Sequence, residues 1–300
     1  MPMNSINTNS GAMIALQNLT ATESQLAVTQ NRVNTGLKIA SAKDNGSIWA
    51  IAQTESAQAK SLDTVTNSLN QGKSVLDTTT QVGSQLTDIL TQMRQDALAA
   101  SDTGVSNTQR TQYQNEFNSL GQSYANAIAS ATFNGVNVID SGSGQVNALG
   151  DANATIHVTS NHQKLDAATV FGNTVVNVTA GTAPAYAGAP AGVDTVAAGT
   201  SWADNTGTAA AAAMAQIDTA MTTVTQAMSG FGVDSKAMDN QMTLVSQLQD
   251  SLNTGVGNLV DANLAQESAN LQALQTKQQL GVQALSIANQ STGILLNLFK

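Results

Sequence analysis

The chain has 300 residues, of which 10% are charged and 3% aromatic, and it carries a net charge of −9 with an isoelectric point near 4.4. This acidic balance lacks the clustered Lys and Arg that bind phosphate backbones, which argues against nucleic acid as a partner. The absence of Cys excludes disulfides and thiolate-bound metals. No run approaches the roughly 18–20 apolar residues of a membrane-spanning helix, so we expect no membrane insertion.

The N-terminal sequence MPMNSINTNSG has no basic segment followed by an apolar one. It therefore does not predict a cleaved secretory signal peptide. Pro occurs only at Pro2, Pro184 and Pro190. Because Pro disrupts helix interiors, the two long Pro-free arms on either side of the central segment are free to be helical.

Apolar residues in the first arm recur at alternating spacings of three and four, which predicts amphipathic helices. The first stripe contains Leu16, Leu19, Leu26, Val33 and Leu37, with Glu23 and Gln30 in its remaining places. The second has the heptad pattern of a coiled coil. It consists of Leu62, Val65, Leu69, Gly72, Leu76, Thr79, Gly83, Leu86, Leu90, Met93 and Ala97. Ser106 and Gln109 then form a capping-box pattern that predicts the start of a third helix.

The middle of the chain changes character. Gly, Asn and Asp punctuate short β-branched alternations such as residues 155–158, and we predict a β-hairpin at about 133–160. Residues 161–207 are predicted to be a short surface-exposed variable insert, because their Ala-, Gly-, Thr- and Pro-rich sequence beyond residue 180 has no period.

Helical spacing returns in the last arm. It runs through Met214, Ile217, Met221, Val224 and Met228, with a break predicted at residues 230–232, and resumes through Met238, Met242, Val245, Leu248 and Leu252. A final stripe contains Val260, Leu264, Leu271, Leu274, Leu285, Ala288, Leu295 and Phe299. We therefore predict a mostly α fold, in which long antiparallel coiled-coil-like helices from both chain ends pair and a small β-hairpin region lies mid-chain.

The terminal stripes are narrow and contain polar residues such as Glu23, Gln30 and Gln278. Because helices derive most of their stability from tertiary packing, such arms should order fully only among copies of themselves. The predicted assembly interface is Leu16, Leu19, Leu26, Val33, Leu271, Leu274, Leu285, Leu295 and Phe299. His157 and His162 match no metal-ligand spacing, and no nucleophile–base pair or phosphate loop occurs. We expect no catalytic, cofactor-binding or metal-binding residues.

A set of motif positions recurs in order near the two ends of the chain: Asn7, Asn9, Arg32, Gly36, Asp44, Trp49, Arg94, Asn134, Asp261, Glu267, Asn289 and Gln290. At these positions the sequence resembles bacterial flagellins, and in particular the short flagellins of alphaproteobacteria. The sequence departs from the family pattern in residues 44–49, in Thr292 at the place of a usual Pro, and in retaining only Arg94 of an arginine patch. Trp49 is open to two interpretations, a core residue or an interface anchor.

The resemblance implies a structural subunit that polymerises into the flagellar filament. Residues 1–40 and 259–300 would form inner-tube terminal helices, and residues 41–160 and 208–258 an outer-tube helical domain. The implied location is extracellular, after export through the flagellar type III apparatus. The implied partners are the chain itself, paralogous flagellins, an export chaperone, and cap and hook-associated proteins. The alternatives are a hook–filament junction protein or other exported axial protein, and a coiled-coil adhesin or effector.

Overall fold

A computed structural model describes residues 9–140, 145–155, 157–160, 165, 202–203 and 206–298. The described elements are α1 (Ser10–Thr35), α2 (Gly46–Ser101), α3 (Asn107–Ser130), β1 (Val146–Leu149), β2 (His157–Ser160), α4 (Thr208–Val260) and α5 (Leu264–Leu298). The chain divides into two compact units, Met1–Lys60 with Gln249–Lys300, and Ser61–Leu248. The predicted fold class, mostly helical with a small central hairpin, is confirmed.

In the first unit, α1 and α5 pack antiparallel. Leu19 on α1 packs directly against Gly281 on α5, because glycine has no side chain in the way. Arg32 on α1 donates a hydrogen bond to Glu267 on α5. α1 ends at Gly36, whose φ of 72° is left-handed and whose N–H donates to the carbonyl of Arg32. Gly adopts this conformation without the steric cost that other residues meet, so it terminates the helix efficiently.

In the second unit, the stripe predicted on α2 from Leu62 to Ala97 is buried at every position. α4 lies against this stripe, with Met228 beside Gly83 and Met238 beside Gly72. The stripe predicted on α4 is partly wrong. Met214, Met221 and Met228 are only half-buried, and the fully buried neighbours are Ala213, Ala220 and Ala227.

The predicted break in the last arm does not exist. α4 is continuous from Thr208 to Val260, and Phe231, between the two glycines, is fully buried. Each Gly in a helix interior costs about 1 kcal/mol relative to Ala. Burial of a large aromatic side chain at the position between them offsets this cost.

α3 begins with the predicted capping box. The hydroxyl of Ser106 accepts from the N–H of Gln109, whose side chain accepts from the N–H of Ser106. Its buried face receives two residues from the region between the hairpin and α4. Trp202 packs on Phe117, and the hydroxyl of Tyr124 donates to the carbonyl of Leu165 at 3.0 Å.

The hairpin region begins with a tight turn in which Asn134 and Gly135 have φ of 50° and 78° and Phe133 pairs with Val136. β1 and β2 then pair antiparallel, with Val146 opposite Ser160. The N–H of Leu149 donates to Ser68 on α2 at 3.0 Å. Within the described part of the chain, no helix has the length and apolarity needed to cross a membrane.

Candidate assembly interface

Asn9 fixes the start of the terminal helix pair. Its side-chain oxygen accepts from the N–H of Ala12 at 3.0 Å, which caps α1. Its side-chain amide donates to the carbonyl of Ala288 on α5 at 2.8 Å. Asn is among the best N-cap residues, and here both ends of its amide are used. One side chain thus caps α1 and joins it to α5.

The stripe between α1 and α5 holds most of the residues predicted for it, but only partly buried. The half-buried members are Leu19, Leu26, Val33, Leu271, Leu274 and Leu285. Leu16 lies off the stripe and is 53% exposed. The side chain of Leu295 and all of Phe299 lie outside the described residues. The role of these residues in assembly stays a prediction.

The predicted register of α1 is wrong at two places. Glu23 and Gln30 are exposed, whereas Thr22 and Thr29 are the buried residues. Thr22 tolerates burial because its hydroxyl donates to the carbonyl of Asn18 at 2.8 Å. Sequence reasoning missed these residues because threonine carries little hydrophobic signal.

Arg32 and Glu267, both chosen from the family resemblance, form an ion pair at 3.1 Å across the two helices. They border a groove of about 420 Å³ on one side of the pair. Its lining consists of Ser24, Gln25, Val28, Thr29, Arg32, Glu267, Asn270, Ala273 and Leu274. The side chain of Glu267 is 12% exposed, so this pair is less screened than an ordinary surface ion pair.

The segments that follow α1 and precede α5 are joined by backbone hydrogen bonds. Leu37 pairs with Asp261, the N–H of Lys38 donates to the carbonyl of Val260 at 2.6 Å, and Ala262 donates to Gly36 at 2.8 Å. Gly36 and Asp261, two more of the motif residues, are therefore neighbours. Their pairing holds the chain in register where it enters and leaves the terminal helix pair.

A small cluster of Ile39, Ala52 and Val260 is packed beside this joint, and Trp49 is half-buried against it. Asp44 shapes the intervening turn, since its carboxylate accepts from the N–H of Ser41 at 2.9 Å and of Ala40 at 3.1 Å. The hydrogen bond from the Ser41 backbone is the main cause of a lowered pKa for Asp44.

The terminal helices also carry large apolar side chains that are between 43% and 68% exposed in the described chain. They are Met13, Ile14, Leu16 and Val28 on α1 and Leu264, Leu280, Val282 and Ile287 on α5. By contrast, the fully buried side chains of α1 are the two threonines. Most of these exposed residues were missed from the sequence because they lie off the predicted stripes.

The remaining motif residues lie elsewhere. In the second unit, Arg94 forms an ion pair with Asp218 at 2.6 Å. Asn134 occupies the tight turn after α3. Asn289 and Gln290 are exposed on α5. Asn7 lies outside the described residues.

Helices from opposite chain ends, paired along a heptad stripe with apolar outer faces, are characteristic of a self-associating subunit. Residues 6–143 match the bacterial flagellin N-terminal helical region and residues 214–299 the bacterial flagellin C-terminal helical region. Over the full length of both chains, this chain is 44% identical to flagellin FljK and 43% identical to flagellin FljM of Caulobacter vibrioides. It is 33% identical to a flagellin of Brucella melitensis, covering 99% of this chain and 100% of the relative.

The chain belongs to the bacterial flagellin family. It is a structural subunit that polymerises into the extracellular filament of the bacterial flagellum. Relatives such as FljK and FljM are paralogues within one species.

Proposed function

We propose that α1 and α5 are the part of this flagellin through which filament subunits bind one another. Residues 1–40 and 259–300 would form the inner tube, and residues 41–160 and 208–258 the outer tube. Residues 161–207 would be an insert that Leu165 and Trp202, both buried, attach to α3. The observation that supports this is the contrast in burial between the two units. α1 has no fully buried apolar side chain, whereas α2 buries Leu69, Leu76, Leu86 and Leu90 completely.

The energetic argument follows from that contrast. Burying a Leu or Ile side chain contributes about 1.5–3 kcal/mol, and in α1 and α5 most of this free energy is not gained within one subunit. It becomes available when neighbouring copies cover Ile14, Leu280 and Ile287. Assembly therefore completes the folding of the terminal helices, and its driving force is the apolar surface they expose.

Amide hydrogen exchange tests this proposal in the intact protein. We expect α1 and α5 to exchange rapidly in the monomer and to become strongly protected in seeded filaments. α2 and α4 between residues 61 and 248 should be protected in both states. Equal protection of α1 in monomer and filament would contradict an assembly role for these helices. Far-UV circular dichroism should show a matching gain of helix on polymerisation.

The proposed role is wholly structural and involves no catalysis or cofactor. We further propose that the subunit leaves the cell through the flagellar export apparatus without a cleaved signal peptide. An export chaperone would hold it before export, and the cap and hook-associated proteins would contact it at the filament ends. Mass spectrometry of filament subunits tests the signal-peptide part, because the N-terminal sequence MPMNSINTNSG should remain, apart from its first Met. Loss of a longer N-terminal segment would contradict this part of the proposal.

A further inference from the structure

The terminal helices are almost free of charge, which makes each ionisable group on them informative. α1 contains only Glu23 and Arg32, and α5 contains only Glu267 and Lys277. Arg32 and Glu267 pair with each other at 3.1 Å. Glu23 and Lys277 are both exposed, and neither has an ion-pair partner among the residues that the structure describes. Each helix thus offers one unpaired charge, of opposite sign.

Glu23 and Lys277 stand at the same height along the helix pair. Leu19 packs against Gly281, and this contact fixes the antiparallel alignment. Glu23 lies about one turn after Leu19, and Lys277 about one turn before Gly281. A parallel, side-by-side neighbour therefore brings the acid of one copy near the base of the next.

The two charges lie on opposite edges of the pair. The groove marks one edge, and Gln25 and Asn270 line it. Lys277 follows Asn270 by two turns and so projects to that same edge. Glu23 directly follows the buried Thr22, and Gln25 directly precedes the half-buried Leu26. In a heptad, the position after one stripe residue and the position before the next lie on opposite sides of the stripe, so Glu23 lies on the edge opposite Gln25.

Exposed apolar side chains lie on both edges, and on the groove edge they include Val28. Leu16 precedes Glu23 by two turns, and Val282 directly follows Gly281 on α5; both are more than half exposed. The other edge is concave and contains Lys277 and the groove. One edge is therefore acidic, and the other is basic and grooved. Two unlike, complementary edges favour a head-to-tail contact between copies rather than a symmetric dimer, and repeated head-to-tail contacts generate a helical polymer.

We infer that neighbouring filament subunits dock the acidic edge of one copy on the basic edge of the next, with Glu23 of one copy pairing with Lys277 of its neighbour. This inference rests on the proposed role of α1 and α5 in assembly. The pair sets the direction and register of docking more than its strength, because exposed ion pairs contribute little affinity but penalise like-charge contacts.

Charge reversal in the full-length protein tests it. The variants are Glu23→Lys, Lys277→Glu and the double exchange, and the readout is the critical concentration for seeded filament growth at low ionic strength. Each single variant should raise that concentration about three- to tenfold, and the double variant should restore it to within about twofold of the wild-type value. Moderate salt should shrink the differences, since it screens exposed charges.

A mixture of the two single variants distinguishes an ion pair between two copies from an ion pair within one copy. The Glu23→Lys chain has two bases and the Lys277→Glu chain two acids, so an equimolar mixture should assemble at a lower concentration than either chain alone. Failure of the mixture, with rescue only by the double variant, would place the pair within one subunit and overturn the inference. Asp88→Lys and Lys236→Glu, exposed positions on α2 and α4, make the same charge changes elsewhere and control for net charge.

The inference and the proposed function fail differently. If all charge variants polymerise like the wild type while α1 and α5 gain exchange protection in the filament, the pairing is wrong and the assembly role stands. If α1 and α5 gain no protection, the assembly role itself is wrong, whatever the charge variants do.

Discussion

Trp202 packs against Phe117 with their ring centroids 5.0 Å apart and their planes at 60°. The N–H of Trp202 also donates to the side-chain oxygen of Gln114 at 3.2 Å. Tilted aromatic pairs of this geometry add about 0.5–1.5 kcal/mol to the free energy gained by burial. A residue far from α3 in the sequence therefore anchors the chain to the buried face of that helix just before α4 begins.

Trp202→Ala should lower the free energy of unfolding of the second unit by about 3–5 kcal/mol, because it removes a fully buried indole and leaves a cavity beside Phe117. Trp202→Phe keeps an aromatic ring and should cost clearly less. Denaturant unfolding followed by far-UV circular dichroism measures both. Equal stabilities of the Ala and Phe variants would mean that the packing on Phe117 contributes little.

Gly207→Ala should destabilise the second unit more than Gly135→Ala. Both glycines have positive φ, 67° and 78°, so both variants carry backbone strain of about 1 kcal/mol or more. At Gly207, however, a Cβ would also lie 2.5 Å from the carbonyl oxygen of Ser101, whereas at Gly135 it would meet no atom of the described chain within 4 Å beyond the adjacent residues. Thermal unfolding of the two variants should differ by several degrees, and a smaller loss for Gly207→Ala would contradict the steric argument.

The accuracy of the sequence predictions followed the size of the buried residues. On α2 the predicted stripe is buried at every position, because its seven Leu, Val and Met residues at heptad spacing give a clear signal that also places Gly72, Thr79, Gly83 and Ala97. On α4 the buried positions are alanines beside methionines, and the larger residue was chosen wrongly. On α1 the choice of Leu16 as a stripe residue gave a register that placed Glu23 instead of Thr22 inside.

Contacts between distant parts of the chain were beyond sequence reasoning. Arg32 and Glu267 were both selected from the family resemblance, but nothing local to either residue indicates that they pair. The sequence predicts a surface-exposed insert at residues 161–207, and this is wrong for Leu165 and Trp202, which are buried against α3. Such contacts depend on the packing of whole elements, which a single sequence does not specify.

Asp96 should make the second unit less stable at neutral pH than in mild acid. Burial between helices, and secondarily the charge of Glu116, raises the pKa of Asp96 from 3.8 to about 6. One of its carboxyl oxygens is buried without a hydrogen-bond partner among the described residues. Because the folded-state pKa lies above the unfolded value, the protonated carboxyl stabilises the fold fully below pH 3.8, and that stability is lost as the pH rises through about 6.

Asp96→Asn should therefore stabilise the protein at pH 8 by about 1 kcal/mol, a figure reduced for the solvent that still reaches this carboxyl. The gain should shrink towards pH 4, where the wild-type carboxyl is protonated. Asp88→Asn, at an exposed carboxyl of the same helix, is the control. Denaturant unfolding across this pH range measures the difference, and a gain independent of pH would show that charge burial is not its cause.

The last prediction concerns Leu285, which is half-buried on the stripe of α5 that faces α1. Leu285→Asp should abolish filament formation, because a carboxylate on a stripe that neighbouring copies complete has no partner for its charge. The loss of Leu burial alone removes about 1.5–3 kcal/mol, which raises the critical concentration by about 10- to 100-fold, and burial of the charge raises it further. The second unit should remain folded, since its core lies between residues 61 and 248.

Sedimentation of seeded polymer measures assembly. In a Trp49→Phe background Trp202 is the remaining tryptophan. Its fluorescence during thermal unfolding therefore reports on the second unit. Leu285→Met, which keeps the side chain apolar and similar in volume, should still polymerise. If Leu285→Asp unfolds the second unit, or forms filaments at the wild-type concentration, the terminal helices are not the assembly-dependent part of this flagellin.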